Sequence, residues 1–423
     1  MRRSEMLKSS KATAWPSRNP NGSRTVPVRS GRGVRIGLTF IVAGLTGAAA
    51  ADGDRPRSGY AVLGSRRPSE SSDSRPPVRA LITLCAIALV ATALPAAAAP
   101  ARVRLATLAP KGSSFHQAIQ AMGEKWRHAP GGGVALTIFT DGSMGGEADM
   151  VRKMRIGQLQ AAMLTASGLA EIDKSVTALQ LMPLMFRNWE EVDYVREKLR
   201  PRLEQTMRDK GFVVLFWGDG GWVRWFSKQP LRFPEDLRKM KVFATVGGTE
   251  TIDIMKGMGL SPVPLEVTDI LPGLQTGLIN AVPTPPVYAN AAQLFNHAPY
   301  MLELDWVPLV GGAVIDVKTW NKLAPATQKS LQEAAEETGE KIRARSRKEN
   351  DEAVEAMKKR GLKAQPVTPE IAAAWQKVAG EVYPIIRGKI VPADMFDEVQ
   401  RLLNERRASA PKGKASGKTG ESK

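Results

Sequence analysis

Residues 217–227 read W-G-D-G-G-W-V-R-W-F-S, and this stretch decides how the rest of the chain is read. Trp217, Trp222 and Trp225, three of the nine tryptophans, fall within it, and Arg224 is the cation between the last two. Flat apolar rings, one fixed charge and glycines that admit close backbone approach make either a ligand wall or an aromatic stretch of buried α/β core. Downstream come P-E-D-L-R-K-M-K-V-F-A-T-V-G-G-T and L-Q-T-G-L-I-N-A-V-P-T-P-P-V-Y, ending at Tyr288.

Outward from this stretch, strand and helix signals alternate. Upstream, Val103–Leu108 alternates as a strand, and a helix over Phe115–Arg127 is capped by Ser113 or Ser114. Val134–Phe139 is a second strand. The loop D-G-S-M-G-G-E opens a helix over Glu147–Ile156 and serves either as a tight turn or as an anion-holding helix start. A third strand covers Gln160–Thr165, a charged-faced helix Asn188–Lys210, and a buried strand Gly211–Trp217. This order predicts an α/β domain with a mainly parallel sheet. After Trp217 the pattern resumes as if a new domain had begun, with strands at Trp225–Ser227, Lys241–Thr245, Ser261–Pro264, Ile279–Pro283 and Val307–Val317. The longest regular element is a helix over Ala326–Arg360, with Pro325 at its start and Gly361 past its end. Its length, on the order of 50 Å, exceeds one small domain and predicts that it braces two lobes.

The net charge of +18 suggests a nucleic-acid partner until it is located. Residues 1–101 hold 15 Lys/Arg against 5 Asp/Glu, and the remainder 45 against 37. The body is only mildly basic and has no basic stripe interleaved with aromatics, so no nucleic-acid partner is expected. The single cysteine, Cys85, lies in the apolar leader, which excludes a body disulfide, thiolate metal site or cysteine nucleophile. His116, His128 and His297 are too scattered for zinc, so no metal and no cofactor is expected. No Ser-His-Asp order or paired catalytic carboxylates emerge, and G-D-G-G-W is not a nucleophile elbow, so catalytic residues are not assigned. Two apolar runs, Ile36–Ala51 and Leu81–Ala99, each follow arginines. The second ends P-A-A-A-A-P-A and matches a secretory signal peptide better than a transmembrane anchor. Residues 1–101 are expected to be a disordered leader plus that signal, and 408–423 a disordered basic tail.

From Val103 to about Leu403 the chain resembles the extracytoplasmic solute-binding proteins of tripartite ATP-independent periplasmic (TRAP) transporters, in the dicarboxylate-binding branch. The stretches that carry the resemblance, in order, are V-R-L-A-T-L-A-P-K-G-S-S-F-H, D-G-S-M-G-G-E-A-D-M-V-R-K-M-R-I-G-Q-L-Q-A-A-M-L, P-L-R-F-P-E-D-L-R-K-M-K-V, G-L-S-P-V-P-L-E-V-T-D-I-L-P-G-L-Q-T-G-L-I-N-A and W-N-K-L-A-P-A-T-Q-K-S-L-Q-E-A-A. The resemblance implies a two-lobe α/β periplasmic binding protein fold, type II-like, with mixed or parallel sheets, a hinge and the long helix touching both lobes. It places lobe I at 102–223 with about 313–352, and lobe II at 224–312 with about 353–407.

The family arginine that clamps a substrate carboxylate follows P-E-D-L; here Phe243 stands in its place. A second family arginine matches Arg224, which either meets the ligand's acid group or makes a structural ion pair, and Thr284 stands where a polar asparagine is usual. Losing the clamp and gaining a phenyl ring disfavours a small dianion, because a buried carboxylate without its cation costs several kcal/mol. The expected ligand is an organic acid more hydrophobic than a C4-dicarboxylate, its acid group on Arg224 between Trp222, Trp225 and Phe243. Phe115 and His116 in the first loop, Thr165 and Ser167 after the third strand, and Tyr288 complete the candidate set. The expected function is ligand capture by hinge closure in the periplasm and delivery to TRAP membrane permease subunits, as a monomer or weak dimer not itself embedded in the membrane. A periplasmic sensor using the same cleft, and a periplasmic hydrolase, are the alternatives.

Overall fold

The computed structural model describes residues 101–246 and 248–409. The two apolar leader runs, Cys85 and the tail beyond Ser409 lie outside the described residues. Nine strands are described: β1 (Ala101–Thr107), β2 (Val134–Phe139), β3 (Ala161–Thr165), β4 (Phe212–Ser227), β5 (Lys241–Thr245), β6 (Ser261–Leu265), β7 (Ala281–Thr284), β8 (Tyr300–Asp316) and β9 (Lys363–Gln365). The helices are α1 (Ser114–Arg127), α2 (Glu147–Arg155), α3 (Ala166–Ala170), α4 (Trp189–Asp209), α5 (Pro234–Arg238), α6 (Thr249–Gly257), α7 (Ile270–Thr276), α8 (Pro286–Ala291), α9 (Val317–Trp320), α10 (Pro325–Lys358), α11 (Pro369–Lys389) and α12 (Ala393–Ser409). Of the two candidate caps for α1, Ser113 is the one used, its side chain accepting from the His116 N–H.

The strands run β2-β1-β3-β8-β4-β7-β5-β6, with β9 beside β8. Pairing is parallel at each flank, β2-β1-β3 and β7-β5-β6, and antiparallel through the centre, β3-β8-β4-β7. The sheet is therefore mixed, which corrects the expectation that Gly211–Trp217 would join a mainly parallel sheet. It also joins two stretches that the sequence reads as separate strands. Gly211–Trp217 and Trp225–Ser227 belong to one 16-residue strand, β4, and β8 is likewise continuous over 17 residues. Their ladder runs from Phe212↔Asp316 to Ser227↔Tyr300, with register shifts at Val214/Phe216, Asp219/Gly221 and Val223/Trp225. Glycines interrupt the apolar pattern there without interrupting the ladder. Gly312 has no room for a side chain, since a Cβ would sit 2.7 Å from the Phe216 carbonyl.

One half of this paired ribbon belongs to each lobe. Val103, Leu105, Trp126, Leu215 and Ile342 share a buried cluster on one side, and Phe226, Phe243, Leu274, Met301 and Met357 share another. Helix α10 enters the first cluster through Leu331, Ala334 and Ile342 and the second through Val354 and Met357, so it braces both lobes as expected. Residues of the 353–407 segment pack into more than one apolar cluster. Ile371 and Trp375 of α11 pack with Trp225 and Val242, whereas Val382 and Ile386 join α12 residues Phe396, Val399 and Leu403 against α4 residues Leu199 and Leu203. Helix α11 thus crosses back to the first lobe.

The crossover is fixed by polar groups of α10. Asn350 Nδ2 donates to the Gly220 carbonyl at 3.0 Å, and its Oδ1 accepts from the Val287 N–H of α8 at 3.1 Å. Arg347 donates to Asp193 of α4 and to Asp219 of β4, and Arg196 reaches both carboxylates from α4. Asp219 is fully buried at its side chain and Arg196 is 3% exposed. Gly221, at φ +106°, lies where any Cβ would overlap the Asn350 amide. Gly221→Ala adds both left-handed strain and that overlap, so we expect a loss of about 2–4 kcal/mol. Chemical denaturation reads this directly, and an unchanged midpoint would show that Asn350 is free to move.

Candidate ligand site

A cavity of about 610 Å³ opens where the carboxyl ends of the parallel strands meet the β4–β8 crossover. That is where open α/β sheets place ligands. Phe115 of α1, Thr165 and Ser167 after β3, Trp225 of β4, Phe243 of β5, Thr284 of β7 and Tyr288 of α8 all line it. His116, Trp222 and Arg224 do not. His116 turns into its own loop, where its Nδ1 accepts from the Gly112 N–H at 3.0 Å. Trp222 packs on Trp189 with ring centroids 4.9 Å apart. Arg224 Nε donates to Asp305 Oδ1 at 2.9 Å, and the pair is half-buried.

Strand periodicity explains the separation. Val223 and Trp225 face the cavity, whereas Trp222 and Arg224 face a second, shallower hollow beside Arg347 and Lys348. The expected grouping of Arg224 with Trp225 and Phe243 around one acid group is therefore corrected. Even Trp225 and Phe243 lie in different apolar clusters, Trp225 with Val242 and Phe243 with Phe226. The cavity touches both rings because it wraps the strand ends.

Several lining residues had escaped the sequence reading. Trp306 of β8 stands 6.0 Å from Trp225, and Trp375 stacks on Trp225 and meets Trp306 edge-on. The alternation L-E-L-D-W-V flags a half-buried strand, which is the signal that could have found Trp306 and the Arg224 partner Asp305. Val382, Ile386, Lys389 and Ile390 reach the wall from α11 and its end, and nothing local in the sequence foretells that crossing. Trp225 Nε1 is the one buried side-chain nitrogen or oxygen without a hydrogen-bond partner among the described residues.

The charged lining is uneven. Glu147, at the start of α2, accepts from the Thr165 N–H and hydroxyl, both at 2.6 Å. Burial pushes its carboxyl up from 4.5 despite these bonds. Asp219 is the buried carboxylate held by Arg196 and Arg347. Glu266 approaches from the other lobe and lies against Gly146, with burial, Asp149 and Asp269 raising its pKa. The D-G-S-M-G-G-E loop is thus a tight turn, with Asp141, Gly142 and Gly145 at positive φ, and it meets the opposing lobe at Thr268 and Glu266. No arginine lines the cavity among the described residues; its cations are Lys174 and Lys389, both exposed.

Two α/β lobes joined by crossing strands, braced by one long helix and enclosing an apolar cavity, define a periplasmic solute-binding protein. The chain belongs to the bacterial extracellular solute-binding proteins, family 7, whose pattern matches residues 105–388. An uncharacterised Salmonella typhimurium protein is 27% identical over 204 residues, 47% of this chain and 61% of that protein. The 2,3-diketo-L-gulonate-binding periplasmic protein of Escherichia coli is 24% identical over 253 residues, 59% of this chain and 76% of that protein. Among solved structures, a TRAP periplasmic solute-binding protein of Ralstonia eutropha with bound (S)-2-acetolactate superposes with a TM-score of 0.67 at 18% identity. It covers 72% of this chain and 99% of that one. No helix among the described residues is long and apolar enough to cross a membrane.

The sign of the Glu147 shift gives a pH test. Below about pH 4.5 both folded and unfolded chains hold this proton. Above it the unfolded chain releases the proton first, and the folded state loses stability until the pH passes the raised folded value. Glu147→Gln keeps one acceptor for Thr165 and has no proton to lose. We expect the stability of wild type relative to Glu147→Gln to fall as pH rises above 4.5, measured by urea denaturation across pH. A difference that grows with pH would reverse the sign of the burial effect.

Proposed function

We propose that this chain is the extracytoplasmic ligand-capturing subunit of a TRAP transporter, located in the periplasm, taking a small organic acid more apolar than a C4-dicarboxylate. Closure of the lobes around that ligand presents the closed form to a membrane permease. The observation that carries the ligand class is the wall. Phe243, Trp225 and Trp306 line the cavity, and no arginine does so among the described residues. Family resemblance implies an arginine at the Phe243 position. A dicarboxylate buried here would face two desolvated charges with no guanidinium to pair them.

Comparison supports an acid as the ligand. Structures of the same fold carry β-D-galacturonate in a Sulfitobacter protein and succinate in a Shewanella oneidensis protein. Family membership and the cavity support binding rather than turnover as the role. Hinge closure is the mechanism: a ligand touching both lobes stabilises the closed form by its differential affinity for it. Here Phe115 and Thr165 belong to one lobe and Phe243 and Tyr288 to the other, so one guest bridges them.

A thermal-shift comparison of octanoate with succinate tests the reading. Octanoate at saturating concentration is expected to raise the melting temperature by several degrees, on the order expected from 2–3 kcal/mol of linkage, and succinate by much less. Arg224→Ala is expected to leave the octanoate shift unchanged, because that guanidinium is committed to Asp305 outside the cavity. A larger shift with succinate would overturn the apolar-acid reading.

A further inference from the structure

We propose that the ligand lies head-out, its carboxylate against Lys389 at the cavity rim and its apolar body inward along Trp225 and Trp306. This rests on the apolar-acid reading above and adds the orientation and the residue that sets it.

The interior offers a carboxylate no cation, and its one unpartnered buried donor among the described residues is the neutral Trp225 Nε1–H. Its deep charges are themselves carboxylates, Glu147 occupied by Thr165 and Asp219 by two arginines, and Glu266 stands where the lobes meet at Gly146. A further buried anion would be desolvated and repelled. Among the described residues, positive charge occurs in the lining only at Lys174 and Lys389. These two come from sequence positions more than two hundred apart but meet at one place. The Thr177 hydroxyl lies 2.7 Å from the Lys174 carbonyl and 3.0 Å from the Ile390 carbonyl. Glu171, also exposed, is the acidic side chain that the segment leading to Lys174 adds to the lining, while Asp173 lies outside the lining, accepts from the Ser175 N–H and pairs with Lys210 at 3.9 Å.

A backbone break delivers Lys389. Val382 and Ile386 put one face of α11 on the cavity, and the helix then departs from helical geometry at Arg387 (ψ 115°) and Gly388 (φ +87°). Gly388 N–H donates to the Val391 carbonyl at 2.7 Å, which closes the turn. Arg387 is drawn outward by two hydrogen bonds to Asp397, at 2.7 and 2.5 Å. Lys389 lines the cavity and makes no ion pair among the described residues.

Between this rim and Trp306 the lining includes the apolar residues Val382, Ile386 and Pro183. Tyr383 of α11 donates to the Pro183 carbonyl at 2.6 Å, and the next residue, Leu184, donates its N–H to the Trp306 carbonyl at 2.8 Å. Met255 and Met258, on and just after α6, line the opposing side. A single-headed amphiphile therefore finds rings and thioethers along its length and an ammonium at its end.

Titration of octanoate and 1-octanol, followed by tryptophan fluorescence and calorimetry, tests this in wild type, Lys389→Gln and Lys377→Gln. Lys377 is an exposed lysine of α11 outside the cavity and controls for general loss of charge. Lys389→Gln is expected to weaken octanoate about 3- to 10-fold, to leave octanol unchanged and to remove most of the salt dependence of octanoate binding. Lys377→Gln is expected to change neither ligand. Equal octanoate affinity in wild type and Lys389→Gln would overturn the orientation while leaving the apolar-acid reading standing. Parallel losses for octanoate and octanol would also overturn it, since packing rather than charge would then be responsible. Failure of wild type to bind octanoate at all would overturn the apolar-acid reading, and the orientation with it.

Discussion

A carboxylate without exposed surface, Asp219, sits where β4 passes between the lobes, and the arrangement around it depends on keeping that charge paired. Arg196 approaches it from α4 and Arg347 from α10, and Asp193 shares both guanidiniums. Removing either arginine would strand a buried charge at a cost of several kcal/mol, whereas the intact network is close to neutral against an apolar replacement. Its consequence is geometric. The network ties one lobe's helix, the crossing strand and the bracing helix at a single point. One turn further along α10, Asn350 does the same for the other lobe through Gly220 and Val287.

The cavity inherits its polarity from this arrangement. Asp219 belongs to its floor, yet both carboxylate oxygens are already engaged from behind. Glu147 is spent on Thr165, the residue that ends β3 and caps α3. The surfaces left for a guest are therefore rings, methyl groups and a few hydroxyls, with cations confined to the rim. Such a wall recognises shape and apolar area more than a pattern of charge, and specificity must then come from the few polar groups at its edge.

The sequence made the elements legible but not their continuity. Val134–Phe139 and Lys241–Thr245 coincide with the observed strands, because each is a short β-branched run between turn residues. The strand break read after Trp217 was misleading because glycine normally weakens a strand, and here Gly218, Gly220 and Gly221 lie inside one. What keeps that strand going is its partner β8, whose own glycines accept the close approach, and this is information from 90 residues away. The misassigned Arg224 is a different case, since the evidence lay within the stretch itself. Trp222 and Arg224 differ from Trp225 in parity, and a period of two sends them to the other face. Treating W-V-R-W as one wall ignored that period. The return of α11 to the first lobe left no local trace, because an amphipathic helix shows that it packs but not on what.

The bends in the crossing strands and the placement of the polar ties together specify how the lobes can move. Register shifts concentrate at Val214/Phe216, Asp219/Gly221 and Val223/Trp225, on either side of the charge network. Bending is least costly there, because bulged backbone has already surrendered part of its ladder and Gly221 carries no Cβ to clash. Helix α10 lies across the same point and cannot bend sharply without a break in its own hydrogen bonds, and it contains no proline beyond its first residue. Rotation of one lobe against the other must then be taken up in the strands and in the side chains that α10 extends to them. In the proposed closure the charge-paired network is the pivot, so closing energy is drawn from the cavity and not from breaking those pairs. That makes the apolar area a guest covers on both lobes the quantity that decides whether the closed form is populated.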